Sequence, residues 1–132
     1  MKKKKVLNFI PTVEGVAPPV AHYSTAVRVE NPTSWLFPSG ILPLDKEGTL
    51  PKGIYAQASQ VLENMEKILA SQGFTFAHIV KINVALKTLD DFKAFGQVYE
   101  AFMGDDCPAR AAYGQAGIAL SAKVEIEVIA AK

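Results

Sequence analysis

The sequence predicts an α+β fold in which two helices pack on one face of a β-sheet. Several short segments alternate apolar and polar residues, as strands do, and two longer segments repeat apolar residues every three to four positions, as helices do. Pro and Gly residues separate these segments. In chain order they are three strands, a helix, a strand, a helix and two strands. Two helices cover only one face, so we expect other copies of the chain to cover the opposite face.

The first third of the chain contains three predicted strands, Val6–Ile10, Ser24–Val29 and Trp35–Phe37. Pro11 ends the first of them, because proline has no amide hydrogen to donate to a sheet. The segment from Leu42 to Gly53 is rich in Pro and Gly and is predicted to be a surface loop.

Two amphipathic helices are predicted beyond this loop. Gly73 is expected to end the first, because glycine readily adopts the left-handed conformation that follows a helix. Thr88 offers an oxygen that can cap the start of the second helix, and Gly104 is expected to end it. The predicted buried stripes are Ala58, Val61, Leu62, Met65, Ile68 and Leu69 in the first helix, and Phe92, Phe95, Tyr99 and Phe102 in the second.

Three more strands complete the prediction. Ile79–Leu86 lies between the helices and has the clearest alternation. Arg110–Gln115 and Lys123–Ala131 follow the second helix and are predicted to be joined by a short turn. A chain of 132 residues is long enough for one hydrophobic core and too short for two, so we predict a single domain over residues 1–132.

Composition and charge narrow the possible functions. The chain is 49% apolar and 20% charged, which argues against disorder, and a net charge of +1 gives no general attraction to nucleic acid or membranes. The lysines at positions 2–5 form the one basic cluster, which we interpret as a solvated tail. No apolar stretch fits a signal peptide or a membrane span, and the single cysteine cannot form an internal disulfide. We therefore expect a cytoplasmic protein that binds neither membranes nor nucleic acid.

Arg110 and Glu125 are the candidate catalytic residues. Arg110 lies at the start of a predicted strand, and Glu125 lies in the following strand among Val and Ile residues. A guanidinium is permanently charged and can donate two hydrogen bonds to one carboxylate. A glutamate in an apolar neighbourhood is a candidate acid or base. The pair predicts a site that binds a small carboxylate and moves a proton or a water molecule beside it.

Several segments, in a common order and spacing along nearly the whole chain, carry a family resemblance. They are His22–Val27, Phe37–Gly40, Ile79–Lys81, Asp91–Phe92, Val98–Phe102, Pro108–Arg110 and Val124–Ala130. With these segments the chain resembles the RidA/YjgF family of reactive-intermediate deaminases, also known as endoribonuclease L-PSP. The resemblance implies a chorismate-mutase-like fold with a six-stranded mixed sheet, assembled as a homotrimer with clefts between subunits.

The resemblance also implies a reaction and roles for individual residues. Family members hydrolyse enamine and imine intermediates, such as 2-aminoacrylate or 2-iminobutyrate, to 2-keto acids and ammonia without a metal or cofactor. By this resemblance Arg110 would bind the substrate carboxylate, and Glu125 would position or activate the attacking water. Tyr23 would line the same cleft, and Ser39 and Gly40 would shape its wall.

Cys107 lies next to the presumed site and is counted among the substrate-contacting residues. Its use as a nucleophile is not favoured, because neither His22 nor His78 is placed in a recognisable dyad pattern with it. These residues also lack the spacing of metal ligands, so we expect no metal site.

Four residues depart from the family pattern, and they keep other functions open. Ile41, Gly96, Ala111 and Ala112 stand where polar residues are usual in the family. We expect each change to remove a polar group from the cleft, which would favour a larger or more apolar acid as substrate. The alternatives are a trimeric module that binds small carboxylates without turnover, and an endoribonuclease or translation inhibitor. The near-neutral charge argues against the last of these.

Overall fold

The computed structural model describes residues 5–132, so the lysines at positions 2–4 of the predicted tail lie outside the described residues. The helices are α1 (Ile54–Ser71) and α2 (Phe92–Met103). The strands are β1 (Leu7–Ile10), β2 (Ala26–Val29), β3 (Trp35–Leu36), β4 (Ile79–Leu86), β5 (Ala109–Tyr113) and β6 (Val124–Ala131). Their order confirms the predicted α+β fold. Among residues 5–132, no helix combines the length and apolar character that a membrane crossing requires.

Four strands form a mixed sheet in the order β3–β6–β4–β5. β5 runs parallel to β4, and the other neighbours are antiparallel. β1 and β2 form a separate antiparallel ribbon that joins β5 through one bridge between Ser24 and Ala109. All six predicted strands are present, but only four of them are hydrogen-bonded into one sheet.

The prediction of a short turn between the last two strands is wrong. β4 lies between β5 and β6, so the connecting segment must pass the end of β4. This segment contains a 3₁₀ turn at Ala119–Ser121 and left-handed residues at Gln115, Leu120 and Ser121. Alternation in a sequence shows which face a side chain takes but not which strand is its neighbour. The arrangement puts β5 at the edge of the four-stranded sheet.

The hydrophobic core lies between the sheet and the two helices. Val61, Leu62 and Met65 from α1 and Tyr99 from α2 have no exposed surface. A fully buried Leu or Val side chain contributes about 1.5–3 kcal/mol of transfer free energy before entropy is subtracted. Two residues of the predicted stripes lie outside this core, because Ile68 is 36% exposed and Phe92 is 37% exposed.

Two amides of α1 hold the neighbouring loops in place. The Asn64 side chain donates hydrogen bonds to the carbonyl oxygens of Leu42 (3.0 Å) and Leu44 (2.8 Å). The Gln57 amide donates to the Pro51 carbonyl (2.9 Å) and accepts from the Lys123 amide (2.8 Å). These bonds satisfy polar groups that would otherwise be costly to bury. They also fix the loop that begins at Ser39 and Gly40.

The two faces of the sheet have different surroundings. Ile82, Val84 and Leu86 of β4 point towards the helices and are fully buried. Asn83 and Ala85 point to the other face and are only partly buried. No helix of the described chain covers that face. Its cover by other copies of the chain stays a prediction.

Candidate active site

Arg110 lies on the helix side of the sheet, inside a group of three aromatic rings. Its partner in the β4–β5 register is Ile82, which faces the core. The guanidinium carbon lies 4.9 Å from the ring centre of Tyr99 and 5.8 Å from those of Tyr23 and Phe92. Rings at these distances attract a cation through their electron-rich faces. We call Tyr23, Phe92, Tyr99 and Arg110 the arginine half-site.

The charge of Arg110 has no carboxylate partner within residues 5–132, where the ion pairs are Arg28–Glu30 and Lys46–Glu47. One guanidinium nitrogen, Nη1, is buried, and it donates no hydrogen bond to any acceptor in the described chain. A buried donor without an acceptor costs about 1–3 kcal/mol, more when it is charged. An incoming carboxylate would supply both the missing charge and the missing acceptor.

Hydrogen bonds between two neighbouring segments position Tyr23 over Arg110. The Ser24 amide donates to the Pro108 carbonyl (3.1 Å), and the Ser24 hydroxyl donates to the Cys107 carbonyl (2.5 Å). His22 Nε2 donates to the Asp106 carbonyl (3.0 Å). Because these bonds flank Tyr23 on both sides, its ring is held next to the residue that follows Ala109.

Cys107 and Tyr99 both lie close to Arg110, and burial keeps both protonated. Burial raises the pKa of the Cys107 thiol, and the opposing influence of Arg110 is smaller. Burial also raises the pKa of Tyr99, which has no exposed surface. A protonated thiol is a poor nucleophile. Neither group is therefore suited to accept a proton at neutral pH.

Glu125 lies on the opposite face of the sheet, away from the helices. Its partner in the β4–β6 register is Ala85, on the partly buried face. The carboxylate borders a cavity of about 230 Å³ together with Gly40, Asn83 and Tyr113. We call these four residues the glutamate half-site. Among the described residues, no hydrogen bond or ion pair holds the Glu125 carboxylate.

Gly40 is the residue that makes room for this carboxylate. A Cβ atom at position 40 would overlap Glu125 Oε1. The backbone there is fixed because Ile41 and Ile126 exchange two hydrogen bonds, of 2.7 and 3.1 Å. Ser39 lines a different cavity, of about 510 Å³, on the side of α1. Of the two residues predicted to shape the wall, only Gly40 lies directly against Glu125.

Within one chain, the two candidate catalytic residues do not meet. Arg110 faces the helices and Glu125 faces away from them, so the sheet itself separates them. Tyr23 and Cys107 accompany Arg110, whereas Gly40 accompanies Glu125. A cleft that contains both residues therefore needs a second copy of the chain.

The four departures from the family pattern do not all bear on this site. Ile41 is 4% exposed and belongs to the core, and Ala112 packs against the same core. The expectation that Ile41 removes polarity from the cleft is therefore wrong. Ala112 lies on the same face of β5 as Arg110, so the corresponding expectation for Ala112 stays a prediction. Gly96 and Ala111 are partly exposed and are not core residues.

Phe92 and Tyr99 place their rings against the candidate residue Arg110, which the sequence did not reveal. Their helical spacing gave them the appearance of core residues, and Tyr99 is indeed buried. The available signal was the position of Phe92 at the first turn of the helix, where a core residue has fewer neighbours. Within the described part of the chain, no three His, Cys, Asp or Glu side chains are grouped so that they could hold a metal ion.

Comparisons with known proteins identify the family to which a chain with this fold and these residues belongs. Residues 14–132 match the family described as Endoribonuclease L-PSP. The chain belongs to this family, which is also called RidA/YjgF, and the resemblance found in the sequence is confirmed.

Relatives and solved structures agree with this assignment. A RutC family protein of Pyrococcus horikoshii is 36% identical over 121 residues, which is 90% of this chain and 94% of that protein. A mouse protein named 2-iminobutanoate/2-iminopropanoate deaminase is 33% identical over 129 residues, 96% of this chain and 90% of that protein. The crystal structure of a Rid family protein of unknown function from Yersinia pestis superposes with a TM-score of 0.84 at 26% identity, covering 97% of this chain and all of the other (100%). The crystal structure of RidA from an Antarctic Psychrobacter superposes with a TM-score of 0.72 at 33% identity, and the match covers 98% of this chain and 100% of the other.

Proposed function

We propose that the chain hydrolyses reactive imines and enamines of small 2-amino acids, such as 2-aminoacrylate or 2-iminobutyrate, to 2-keto acids and ammonia. The observation that carries this proposal is the unpaired guanidinium of Arg110 inside its aromatic rings. Such a group matches the carboxylate that all of these substrates share. The mouse relative, whose name states this activity, supports the choice of reaction.

Arg110 binds and orients the substrate in this proposal. Two parallel hydrogen bonds to the carboxylate fix the plane of the adjacent imine carbon, so that water can approach from one side. An enamine first takes a proton on carbon and loses one from nitrogen, and so becomes the imine. The imine carbon is already electrophilic, so the protein needs to orient the acid and deliver the water rather than activate the carbon.

Glu125 acts on the water. Its carboxylate removes a proton as the water oxygen bonds to the imine carbon, and the same proton then goes to the nitrogen. The hydroxyl proton of the resulting carbinolamine then passes to the nitrogen through Glu125 as the carbon–nitrogen bond breaks, which releases ammonia and leaves the 2-keto acid. Protonated Cys107 and Tyr99 cannot replace Glu125 as the base.

The working site lies between copies of the chain in this proposal, and the assembly is a homotrimer. Because Arg110 and Glu125 lie on opposite faces of one sheet, one copy supplies the arginine half-site and its neighbour the glutamate half-site. A closed cyclic assembly gives every arginine half-site such a neighbour. A site between subunits would be shielded from water, and the lower local dielectric constant would strengthen the arginine–carboxylate contact.

The direct test is an assay of turnover. A threonine dehydratase generates 2-iminobutyrate, and the release of 2-ketobutyrate is followed with and without the protein. Arg110→Ala should lower kcat/KM by about 30- to 1,000-fold, equivalent to about 2–4 kcal/mol of transition-state stabilisation. Arg28→Ala is the matched control, because that arginine is exposed and already paired with Glu30. An absence of acceleration by the unmodified protein would remove the proposal, as would equal acceleration by Arg110→Ala.

A second experiment tests the shared site. Arg110→Ala and Glu125→Gln chains are each inactive alone, and co-expressed chains assemble into mixed particles in which about one quarter of the sites contain both native residues. Recovery to about that fraction of activity is expected. If the mixture stays as inactive as its components, the site is not shared between copies. Calorimetry with 2-ketobutyrate completes the test, because tight binding without any turnover would favour the non-catalytic binding module.

A further inference from the structure

A tyrosine and Glu125 lie on either side of one small residue of the sheet. Ala85 of β4 pairs with Glu125 of β6 on one side and with Tyr113 of β5 on the other. Directly paired residues point to the same face, so the three form one row on the face away from the helices. Neighbouring strands lie about 4.8 Å apart, which places the backbones of Tyr113 and Glu125 about 10 Å apart. Because Ala85 is small, the row is open at its centre.

The space above Ala85 is the cavity of about 230 Å³ that the glutamate half-site borders. A water molecule takes about 30 Å³ in the liquid, so this volume can hold several of them. Tyr113 also borders the cavity and is 59% exposed, so it is not a core residue. The cavity therefore has room for a water molecule beside Glu125 and for the reacting end of a substrate.

The polar side chains around this cavity fall into two pairs. The Asn83 amide donates a hydrogen bond to Glu127 Oε1 (3.1 Å), so these two side chains bind each other. Among residues 5–132, the Tyr113 hydroxyl and the Glu125 carboxylate have no hydrogen-bond partner. These last two groups are therefore available to a molecule that enters the cavity.

The attack of water on an imine carbon gives such a molecule a defined orientation. The water uses a lone pair to attack, so both of its hydrogens must point away from the carbon. In the proposed reaction Glu125 accepts one hydrogen and then removes that proton. One bond alone leaves the water free to rotate about it. A phenol oxygen can accept a second hydrogen bond, and Tyr113 carries one on the opposite side of the same cavity.

We propose that Tyr113 accepts the second hydrogen of the attacking water, opposite Glu125, and so directs the lone pair of the water towards the imine carbon. This inference rests on the proposed function, and it adds a residue that touches the reacting water. Tyr113 gives up no proton in this step. The water oxygen bonds to the imine carbon, the π electrons of the carbon–nitrogen bond go to the nitrogen, and one water proton goes to Glu125.

Tyr113→Phe tests this role, because it keeps the ring and removes only the hydroxyl. In the dehydratase-coupled assay, kcat for 2-iminobutyrate should fall by about 3- to 10-fold, the range expected for the loss of one hydrogen bond. Tyr55→Phe is the matched control. Tyr55 is 58% exposed and lies on α1, where its hydroxyl donates to Gln97 of α2. This control should leave kcat unchanged.

Calorimetry with 2-ketobutyrate separates the orientation of water from the binding of the acid. The keto acid presents its carboxylate to Arg110 but needs no attacking water, so its Kd should change by less than about 2-fold in Tyr113→Phe. Damage to the contact between copies would instead weaken binding and turnover together. The melting temperature should stay at the native value, since the hydroxyl has no partner within residues 5–132.

Each outcome bears on the inference. A native kcat in Tyr113→Phe would overturn it and leave the proposed function intact. A loss of kcat with an equal loss of affinity for 2-ketobutyrate would also overturn it, because the hydroxyl would then act on binding. If the native protein does not accelerate the release of 2-ketobutyrate, the proposed function fails, and the inference fails with it.

Discussion

Gly40→Ala is expected to displace the Glu125 carboxylate while the glutamate itself is kept, so it tests whether the position of this group matters. The added Cβ atom would overlap Glu125 Oε1, and it would lie 3.3 Å from Cδ and 3.7 Å from Cγ of the same side chain. The backbone at position 40 is not in the left-handed region, so alanine is tolerated there. The carboxylate is the flexible end of its side chain, and it must move by about 1 Å, a misplacement that typically costs about 100-fold in rate.

The expected effect is therefore a loss of about 100-fold in kcat/KM for 2-iminobutyrate, or about 2.7 kcal/mol, with stability changed by less than about 1 kcal/mol. The dehydratase-coupled assay measures the rate, and urea unfolding measures the stability. Gly117→Ala is the matched control, because a Cβ atom there meets nothing within 4 Å. It should leave the rate unchanged.

A double-mutant cycle provides the decisive comparison. If Gly40→Ala acts only by displacing the Glu125 carboxylate, it should cause no further loss in a Glu125→Gln background, because the displaced base is already absent. A full additional loss in that background would show that the substitution damages the site by another route. Native activity in Gly40→Ala would refute the role given to the position of this carboxylate.

Three predictions concern stability and pH. Tyr99→Phe removes a hydroxyl that is buried with no partner in the described chain, so it should stabilise the protein by about 1 kcal/mol and raise Tm by about 3 °C; a lower Tm would show that the hydroxyl is hydrogen-bonded in the assembly. Gly73→Ala should cost at least about 1 kcal/mol in urea unfolding because φ is 76° there, and an unchanged midpoint would contradict this reasoning. Burial, and to a lesser degree Lys132, lowers the pKa of His78, so the folded state binds fewer protons than the unfolded one, and stability should be full above about pH 6.5 and fall as the pH drops. In the native protein the Thr75 amide donates to His78 Nδ1 at 2.9 Å, and His78→Asn keeps an acceptor for this bond. The variant should flatten the pH dependence of stability. Parallel curves of unfolding free energy for the native protein and the variant between pH 8 and pH 5 would exclude His78 as the cause.

The sequence was sufficient to predict the helices and strands, but it was insufficient to predict which strands pair with each other. Ile79–Leu86 is a strand with the predicted bounds, and Gly73 and Gly104 follow the two helices with positive φ as expected. Alternation and helical spacing report local geometry, and local geometry was enough for these elements. The separation of β5 from β6 by β4 depends on long-range pairing, which leaves no mark on either strand.

The same limit applies to the site. Arg110 and Glu125 are each in a strand, as predicted, but their opposite faces follow from the register of two different pairings with β4. Ile41 was expected in the cleft and lies in the core, because its exchange of backbone hydrogen bonds with Ile126 fixes its side chain inward. Phe92 was expected in the core and lies at the surface beside Arg110.

The ribbon of β1 and β2 meets the edge of the sheet at Ser24, and Tyr23 is the residue beside this junction. Local opening of this ribbon, without global unfolding, would move Tyr23 away from Arg110 and so remove one wall of the arginine half-site. A bound acid favours the closed form by its own affinity, so the equilibrium between the two forms depends on the concentration of that acid. Amide hydrogens at positions 7–10 and 26–29 should therefore exchange with deuterium more slowly in saturating 2-ketobutyrate, although none of these residues belongs to the arginine half-site.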